Sequence, residues 1–197
     1  MACALLAGVP VLEKAGTPSA LLAYRIAQIT VESGILPEGA FQFLVGSVSG
    51  MLDLLDAQDT VAFTGSSRTG IAIRGNKNLV ARNVRVNIEA DSINPAVLGP
   101  DAELGSDTFE QFVANVATDV TQKAGQKCTA VRRILVPTER MAEVEEALVE
   151  RLRAVRVGNP LDNDTRMGPV ASSDQLADVR GGIQRLQAVS DTVLGDR

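Results

Sequence analysis

Short strand-like runs alternate with helical segments in the first part of this chain, and this alternation restricts the fold more than any other feature. Four such runs lie at 9–12, 41–45, 61–63 and 84–88, and we expect the first to be a short buried strand. Between the first two runs, Leu22, Ile26 and Ile29 share one face of a segment with helical spacing. Strands that alternate with helices favour a parallel, doubly wound sheet, in which ligands bind beyond the carboxyl ends of the strands. We therefore expect an α/β fold with its binding residues at one edge of such a sheet.

Beyond about Leu98 the pattern changes to longer helices. One long amphipathic helix is marked by Phe109, Phe112, Val113, Val116 and Val120. A strand at 131–136 follows it. The next helix carries an apolar stripe that we interpret as core, formed by Met141, Val144, Leu148 and Leu152. The tail at 159–197 mixes Asp, Gly and Pro with short apolar runs and contains no motif that indicates chemistry.

Composition excludes several classes of function. The 197 residues carry a net charge of −5 and only 3% aromatic side chains, which argues against nucleic-acid or anionic-membrane partners. The apolar start at 2–12 lacks a positively charged leader and is too short to span a bilayer. The two cysteines do not make a disulfide framework, and we expect no metal site. We expect a cytoplasmic protein that acts on a small molecule.

The residues around one cysteine indicate that it could act as a nucleophile. Cys128 directly follows Gly125, Gln126 and Lys127 in a loop behind the predicted long helix. A thiol is nucleophilic as its thiolate, which a neighbouring cation or a helix terminus favours. Because the chain has no histidine, the base must be a carboxylate or a lysine, and Glu89 at the end of a predicted strand is the obvious candidate. The alternative is a buried structural cysteine and a solvated glutamate.

The glycine turn after the third predicted strand is a second candidate for a functional site. The turn runs from Thr64 through Gly65 and Ser66. It leads through Gly70 into a predicted helix, so that backbone N–H groups and a positive dipole end could face a pyrophosphate. The turn is neither a Walker loop nor the three-glycine dinucleotide pattern, and a plain tight turn is the alternative. Lys14, at the end of the first predicted strand, could contact an adenosine ribose or its phosphate, with a solvated lysine as the alternative.

The order of these motifs resembles that of the aldehyde dehydrogenase superfamily over essentially the whole chain. The resemblance rests on the strand before Lys14, the segment 63–66 with Gly70, then Glu89, and finally 125–128. Residues 89–94 and 123–130 look most like the CoA-linked semialdehyde dehydrogenases of aerobic aromatic-acid breakdown. Asp91 and Ser92 stand where most of the superfamily has a glycine pair, and this difference restricts the resemblance to that branch.

The resemblance implies a fold and a reaction. The fold is aldehyde-dehydrogenase-like, with the later half of a Rossmann-type dinucleotide-binding domain at 1–92 and the first half of an α/β catalytic domain at 93–197. Cys128 would attack the carbon of a small-molecule aldehyde, which is CoA-linked in the branch named above, and hydride would pass to the nicotinamide of NADP or NAD. Glu89 would then activate water to hydrolyse the resulting thioester.

The resemblance also implies which residues hold the cofactor. Lys14 and Thr17 would contact the adenosine ribose and, in enzymes that prefer NADP, its extra phosphate. Ser66 at the helix start would hold the pyrophosphate. The remaining cofactor-binding residues would be Thr64, Gly65 and Gly70, where the two glycines let the backbone approach the pyrophosphate.

Two departures from the family pattern lead to further expectations. The family's oxyanion-hole asparagine lies upstream of the Lys14 strand, and its nicotinamide-side ribose contact lies beyond Arg197. Glu13 replaces a usually apolar residue, and Ala15 a proline. We expect an internal fragment that is inactive alone, from a full-length homo-oligomer. The alternatives are a CoA-acylating dehydrogenase, in which CoA resolves the thioester, a non-catalytic dinucleotide-binding remnant, and a fragment that does not fold alone.

Overall fold

The computed structural model of the chain describes residues 1–48 and 50–195, which form helices and short strands. The strands are β1 (Val11–Lys14), β2 (Phe41–Leu44), β3 (Thr60–Gly65), β4 (Arg85–Ala90), β5 (Asn94–Val97) and β6 (Val131–Leu135). The α-helices are α1 (Ala2–Leu6), α2 (Ala20–Glu32), α3 (Ser67–Arg74), α4 (Lys77–Ala81), α5 (Asp107–Thr121), α6 (Met141–Arg153) and α7 (Ser173–Gln187). Short 3-10 helices lie at Thr17–Ser19, Met51–Leu54 and Thr138–Arg140, and Gln122–Gly125 forms a turn whose backbone is partly left-handed.

The strands pair in parallel, and a helix lies in the connection within each pair. β1 pairs with β2, β3 with β4, and β5 with β6. Parallel neighbours need such helical crossovers, so the α/β class predicted from the alternating pattern is confirmed. Among the described residues the three pairs are not joined by hydrogen bonds into one sheet, which differs from the continuous doubly wound sheet that we expected.

The chain divides into two compact units, Met1–Ala90 and Asp91–Arg197. The functional boundary after residue 92 stays a prediction. In the first unit, the inward-facing Phe63 of β3 pairs with Ile88 of β4. Helix α3 packs on this pair through Gly70, which is buried. A Cβ atom at Gly70 would lie 2.8 Å from Cγ2 of Ile88, so the close approach of helix and strand requires a glycine there.

The core of the second unit lies along α5 and α6. Phe109 and Val113 of α5 are almost completely buried, at 1% and 0% exposure. The other buried members of this cluster are Leu98, Ala102, Val116, Ala117, Val144 and Leu148. The apolar stripes predicted for these two helices are therefore core, with one exception. Met141 is 51% exposed, so its assignment to the core is wrong.

Several local expectations differ from the structure. The first strand is Val11–Lys14, and Leu12 within it is 44% exposed, so a buried strand at 9–12 is wrong. Helix α7, in the tail, was not expected, because two adjacent glycines in its interior lower helix propensity. Of the described residues, none belongs to a helix with both the length and the apolar character needed to cross a membrane.

Candidate functional site

The glycine turn and Glu89 lie at one edge of the β3–β4 pair. In the strand register, Thr64 stands opposite Glu89 and Gly65 opposite Ala90. Because the two strands are parallel, both carboxyl ends meet at the same edge, where ligands of α/β proteins bind. Thr64, Gly65 and Glu89 are all exposed there. The structure thus brings together the base candidate and the start of the candidate phosphate-binding turn.

Ser66 begins the helix that follows this turn. Its hydroxyl oxygen accepts a hydrogen bond from the Thr69 backbone N–H at 3.3 Å, which caps α3. The same hydroxyl donates to the Thr69 Oγ1 at 3.1 Å. A capped helix N-terminus presents backbone N–H groups and a positive dipole end, as a pyrophosphate site requires. Gly70 lies one turn further in and packs on Ile88, so helix–strand packing accounts for its lack of a side chain.

Lys14 and Thr17 lie at the end of the other strand pair in the first unit. Lys14 is the last residue of β1 and stands opposite Leu44 of β2. Thr17 opens the short 3-10 helix that leads into α2. Both side chains are exposed and neither has a described hydrogen bond to the β3–β4 pair. Their assignment to the adenosine ribose stays a prediction.

Cys128 lies on an unusual backbone segment in the second unit. Its thiol is free and exposed, so the alternative of a buried structural cysteine is wrong. Three consecutive residues before it are left-handed, with φ of 52° at Lys123, 53° at Ala124 and 71° at Gly125. Non-glycine residues adopt this conformation at a cost of about 1–2 kcal/mol each. This strained turn reverses the chain between α5 and β6.

Side chains at the start of β5 and just before it hold the backbone of the Cys128 segment. The Asn94 amide donates to the carbonyl oxygens of Cys128 at 2.8 Å and of Ala130 at 3.2 Å. The Ser92 hydroxyl also donates to the Cys128 carbonyl. From the other side, the Arg132 guanidinium donates to the Gly125 carbonyl at 2.9 Å. The main chain around the cysteine is therefore fixed while its thiol stays accessible.

Asp119, in the last turn of α5, holds the same segment. One carboxylate oxygen accepts a hydrogen bond from the Lys127 ammonium, and the other accepts from the Val131 backbone N–H at 2.6 Å. The hydrogen bond from Lys127, followed by that from Val131, lowers the pKa of Asp119 below its ordinary value. Lys127 also donates to the Gln122 side-chain oxygen at 2.9 Å. The cation that we expected to act on the thiol is thus paired with a carboxylate.

Sequence reasoning missed Asn94, Asp119 and Arg132. Asp119 did carry a signal, since a carboxylate in the last turn of a helix opposes the helix dipole and indicates a specific partner. Asn94 and Arg132 carried no signal in the sequence, because their hydrogen-bond partners are backbone carbonyls, which no residue pattern reveals. Within the ranges described, no cluster of three or more acidic or cysteine side chains is arranged to hold a metal ion.

A parallel α/β arrangement with a capped helix after a glycine turn is typical of dinucleotide-binding proteins. Residues 1–196 match the aldehyde dehydrogenase family, and the chain is a member of it.

Two relatives and one group of solved structures illustrate the match. The chain is 44% identical to 3,4-dehydroadipyl-CoA semialdehyde dehydrogenase of Aromatoleum evansii over 98% of its own length and 37% of the relative's. It is 34% identical to alpha-ketoglutaric semialdehyde dehydrogenase of Bacillus subtilis, over 89% of its own length and 35% of the relative's. The chain thus spans little more than a third of the length of these relatives.

Betaine aldehyde dehydrogenase of Staphylococcus aureus in complex with NAD+ has a similar fold. It superimposes with a TM-score of 0.80 and 29% identity over 92% of this chain and 35% of that one. A variant of the same enzyme gives a TM-score of 0.83 over 95% of this chain and 36% of that one, again with NAD+ bound. The expected aldehyde-dehydrogenase-like α/β fold is therefore confirmed.

Proposed function

We propose that this chain supplies the nucleophile, the base and part of the cofactor site of an NAD(P)-dependent aldehyde dehydrogenase. The substrate is a CoA-thioester semialdehyde, which is oxidised to the carboxylic acid. The observation that carries the proposal is the exposed, free thiol of Cys128 on a segment whose backbone is held from two sides. The 44% identity to a CoA semialdehyde dehydrogenase supports the substrate class.

The reaction splits one oxidation into two steps at Cys128. The thiolate attacks the aldehyde carbon, the carbonyl electron pair moves to oxygen, and a thiohemiacetal forms. The carbon then loses a hydride, and the oxygen reforms a carbonyl, which leaves a thioester on the sulfur. Glu89 takes a proton from water as the water attacks this thioester, and the C–S bond breaks to release the acid and the thiolate. The nicotinamide cofactor, when bound, accepts the hydride.

The residues of the first unit fit a dinucleotide. The β3–α3 turn combines the dipole end of α3 with the hydroxyls of Thr64 and Ser66, a donor set suited to a pyrophosphate. Gly65 leaves the turn without a side chain next to these donors. Lys14 and Thr17 are exposed and supply a cation and a hydroxyl suited to an adenosine ribose or its phosphate. NAD+ in complexes of the S. aureus enzyme supports this cofactor class.

The proposal also covers the compartment, the partners and the oligomeric state of the protein. Two exposed thiols without a disulfide suit a reducing, cytoplasmic compartment. A net charge of −5 disfavours nucleic acid and anionic membranes as partners. We also propose that the enzyme acts as a homo-oligomer in the degradation of an aromatic compound. The 37% coverage of the A. evansii relative leads us to expect no aldehyde turnover by these residues alone.

The two cysteines allow a test with an internal control. The chain is alkylated with iodoacetamide in the presence and absence of NADP, NAD or a CoA-linked semialdehyde, and peptide mass spectrometry reads each cysteine separately. We expect cofactor and aldehyde to change the alkylation rate of Cys128 and to leave Cys3, which is also exposed and free, unchanged. An identical response of both thiols, or none at either, would contradict the proposal.

The CoA-acylating alternative differs in how the thioester is resolved. Cys128 is acylated with p-nitrophenyl acetate and then chased with buffer or with free CoA. Loss of the acyl group in buffer, slowed in Glu89→Gln, supports hydrolysis by activated water. Release that depends on added CoA and ignores Glu89 supports the acylating reaction instead.

A further inference from the structure

One carboxylate group holds both ends of the segment that carries Cys128. Oδ1 of Asp119 accepts the hydrogen bond from the Lys127 ammonium, which directly precedes the cysteine. Oδ2 of the same side chain accepts from the Val131 N–H, three residues after it, at 2.6 Å. Asp119 therefore spans Cys128 without contacting the thiol. Because both hydrogen bonds end on the same carboxylate, the two ends of the segment are held together.

The ion pair is partly withdrawn from solvent. The side chains of Lys127 and Asp119 are 20% and 24% exposed. By comparison, the Arg156–Asp164 pair in the tail has side chains that are 69% and 71% exposed. Screening weakens exposed pairs most, so the Lys127–Asp119 pair is the stronger of the two. The Lys127 ammonium also donates to the Gln122 side-chain oxygen, which helps to hold it beside Asp119.

The opposite side of the segment is held independently. Asn94 binds the Cys128 and Ala130 carbonyls, and the Ala130 N–H donates to the Lys127 carbonyl at 3.2 Å. The backbone polar groups around the cysteine are thus engaged by Asn94 from β5 and by Asp119 from α5. Lys127 is part of the hold by Asp119, because its ammonium group binds one of the two carboxylate oxygens.

We propose that Asp119 is a positioning residue for Cys128 and the permanent counter-ion of Lys127, so that Lys127 anchors the nucleophile segment and does not activate its thiol. The inference rests on the proposed function, because it assigns a role to the surroundings of the proposed nucleophile. It replaces the simpler expectation that a lysine beside a cysteine promotes thiolate formation.

The inference predicts that the charges of Lys127 and Asp119 cancel at the thiol. Lys127→Gln combined with Asp119→Asn therefore keeps the pH profile of Cys128 alkylation of the original chain, whereas Lys127→Gln alone uncovers the Asp119 carboxylate and moves the profile to higher pH. In Asp119→Asn the lysine is released next to the thiol, and the profile moves to lower pH by about 0.5 units, as expected for a cation a few ångströms away in water. Adding Lys127→Gln to Asp119→Asn moves it back.

The experiment follows iodoacetamide alkylation of both cysteines from pH 6 to 10 without cofactor, with Cys3 as the internal reference. The variants are Lys127→Gln, Asp119→Asn, the double variant and Asp119→Glu, which retains the negative charge and is expected to restore the original profile. A double variant whose profile lies at higher pH than that of the original chain shows that an uncompensated Lys127 charge acts on the thiol, and the inference is wrong. If Asp119→Asn fails to fold, the salt dependence of the original chain decides: a compensated pair leaves the Cys128 profile unchanged between about 0.05 and 0.5 M NaCl, whereas a move to higher pH with added salt contradicts the inference.

The readout separates this inference from the proposed function. Cofactor-independent alkylation reports on the surroundings of the thiol, whereas the response of Cys128 to NADP or aldehyde reports on the function. An unchanged profile in the double variant together with no cofactor response leaves the inference standing and contradicts the function. A shifted profile in the double variant with a normal cofactor response does the reverse.

Discussion

The Asn94 side-chain amide donates a hydrogen bond of 2.8 Å to the main-chain carbonyl of Cys128. Asn94 is the first residue of β5 and stands opposite Val131, the first residue of β6, next to a register irregularity between Asn94 and Pro95. The bond therefore ties the start of one strand to the loop that enters its partner. Asn94 thus ties the Cys128 segment to the start of this strand pair.

Replacing this donor with an acceptor tests that role. In Asn94→Asp the carboxylate faces two carbonyl oxygens and loses both hydrogen bonds. We expect the free energy of unfolding to fall by about 1–2 kcal/mol, because the carboxylate is repelled by both carbonyl oxygens and the Ala130 carbonyl loses its donor, whereas the Cys128 carbonyl keeps the hydrogen bond from Ser92. Asn115→Asp, at an exposed position of α5, makes the same chemical change and should alter stability by less than about 0.5 kcal/mol. Urea unfolding of both variants measures the difference, and equal effects would contradict the assignment.

Two helical glycines provide a second test, of the packing behind the glycine turn. In Gly70→Ala the new methyl group meets Ile88 at 2.8 Å, so we expect a loss of about 1–2 kcal/mol through overpacking. In Gly181→Ala, inside α7, the nearest atom is the Arg185 Nη1 at 3.5 Å, which is an ordinary contact. There the higher helix propensity of alanine should stabilise the chain by about 0.5–1 kcal/mol. Opposite signs in thermal unfolding are expected; a stabilising Gly70→Ala contradicts the packing.

The sequence was a good guide to elements whose cause is local. The alternation around Phe63 and Ile88, the cap at Ser66 and the apolar stripe that includes Phe109 each follow from a pattern within a few residues, and each is present in the structure. The positions of the glycine turn and Glu89 at one sheet edge followed from the parallel topology. Their chemical roles stay predictions.

What the sequence did not reveal depends on contacts between distant residues. Asn94 and Asp119 act through backbone groups 34 and 12 positions further along, and such partners leave no periodic signal. Lys127 was assigned to the thiol because it is adjacent in sequence, whereas its side chain is directed to Asp119 on the preceding helix. Met141 has the helical spacing of a core residue but lies at the first turn of α6, where less of the core reaches it.

The contribution of Asp119 to the free energy of unfolding depends on pH. Its pKa is lowered from 3.8 chiefly by the hydrogen bond from Lys127, with Val131 and the charge of Arg132 adding to the effect. A lowered folded-state pKa means that the carboxylate stabilises the fold above about pH 4, and that this contribution is lost as pH falls through the lower value. We expect the difference in unfolding free energy between the original chain and Asp119→Asn to be largest near neutral pH and to shrink below pH 3.8. A difference that stays constant from pH 2.5 to 7 would contradict the ion-pair anchor.

The left-handed turn before the cysteine stores strain that a glycine can relieve. Ala124 has φ of 53°, and glycine adopts this conformation without the Cβ clash. Ala124→Gly should raise the free energy of unfolding by up to about 1 kcal/mol, the relief being partly offset by the greater freedom of glycine in the unfolded chain. Ala177→Gly, at an exposed position inside α7 with helical backbone, serves as the control and should lose about 1 kcal/mol. If both substitutions destabilise the chain equally, the turn is not strained.

The start of α3 can be tested as a pyrophosphate site by a substitution that keeps the helix intact. Aspartate caps helices as well as serine does, so Ser66→Asp preserves α3 while it places a negative charge where the phosphates would bind. We expect NAD(P) affinity to fall at least about tenfold through charge repulsion, with unchanged or slightly higher thermal stability. Ser172, which caps α7 in the same way through the Gln175 N–H, provides the matched control. Ser172→Asp should leave cofactor affinity unchanged in isothermal titration. Unaltered binding by Ser66→Asp would show that the dinucleotide phosphates lie elsewhere.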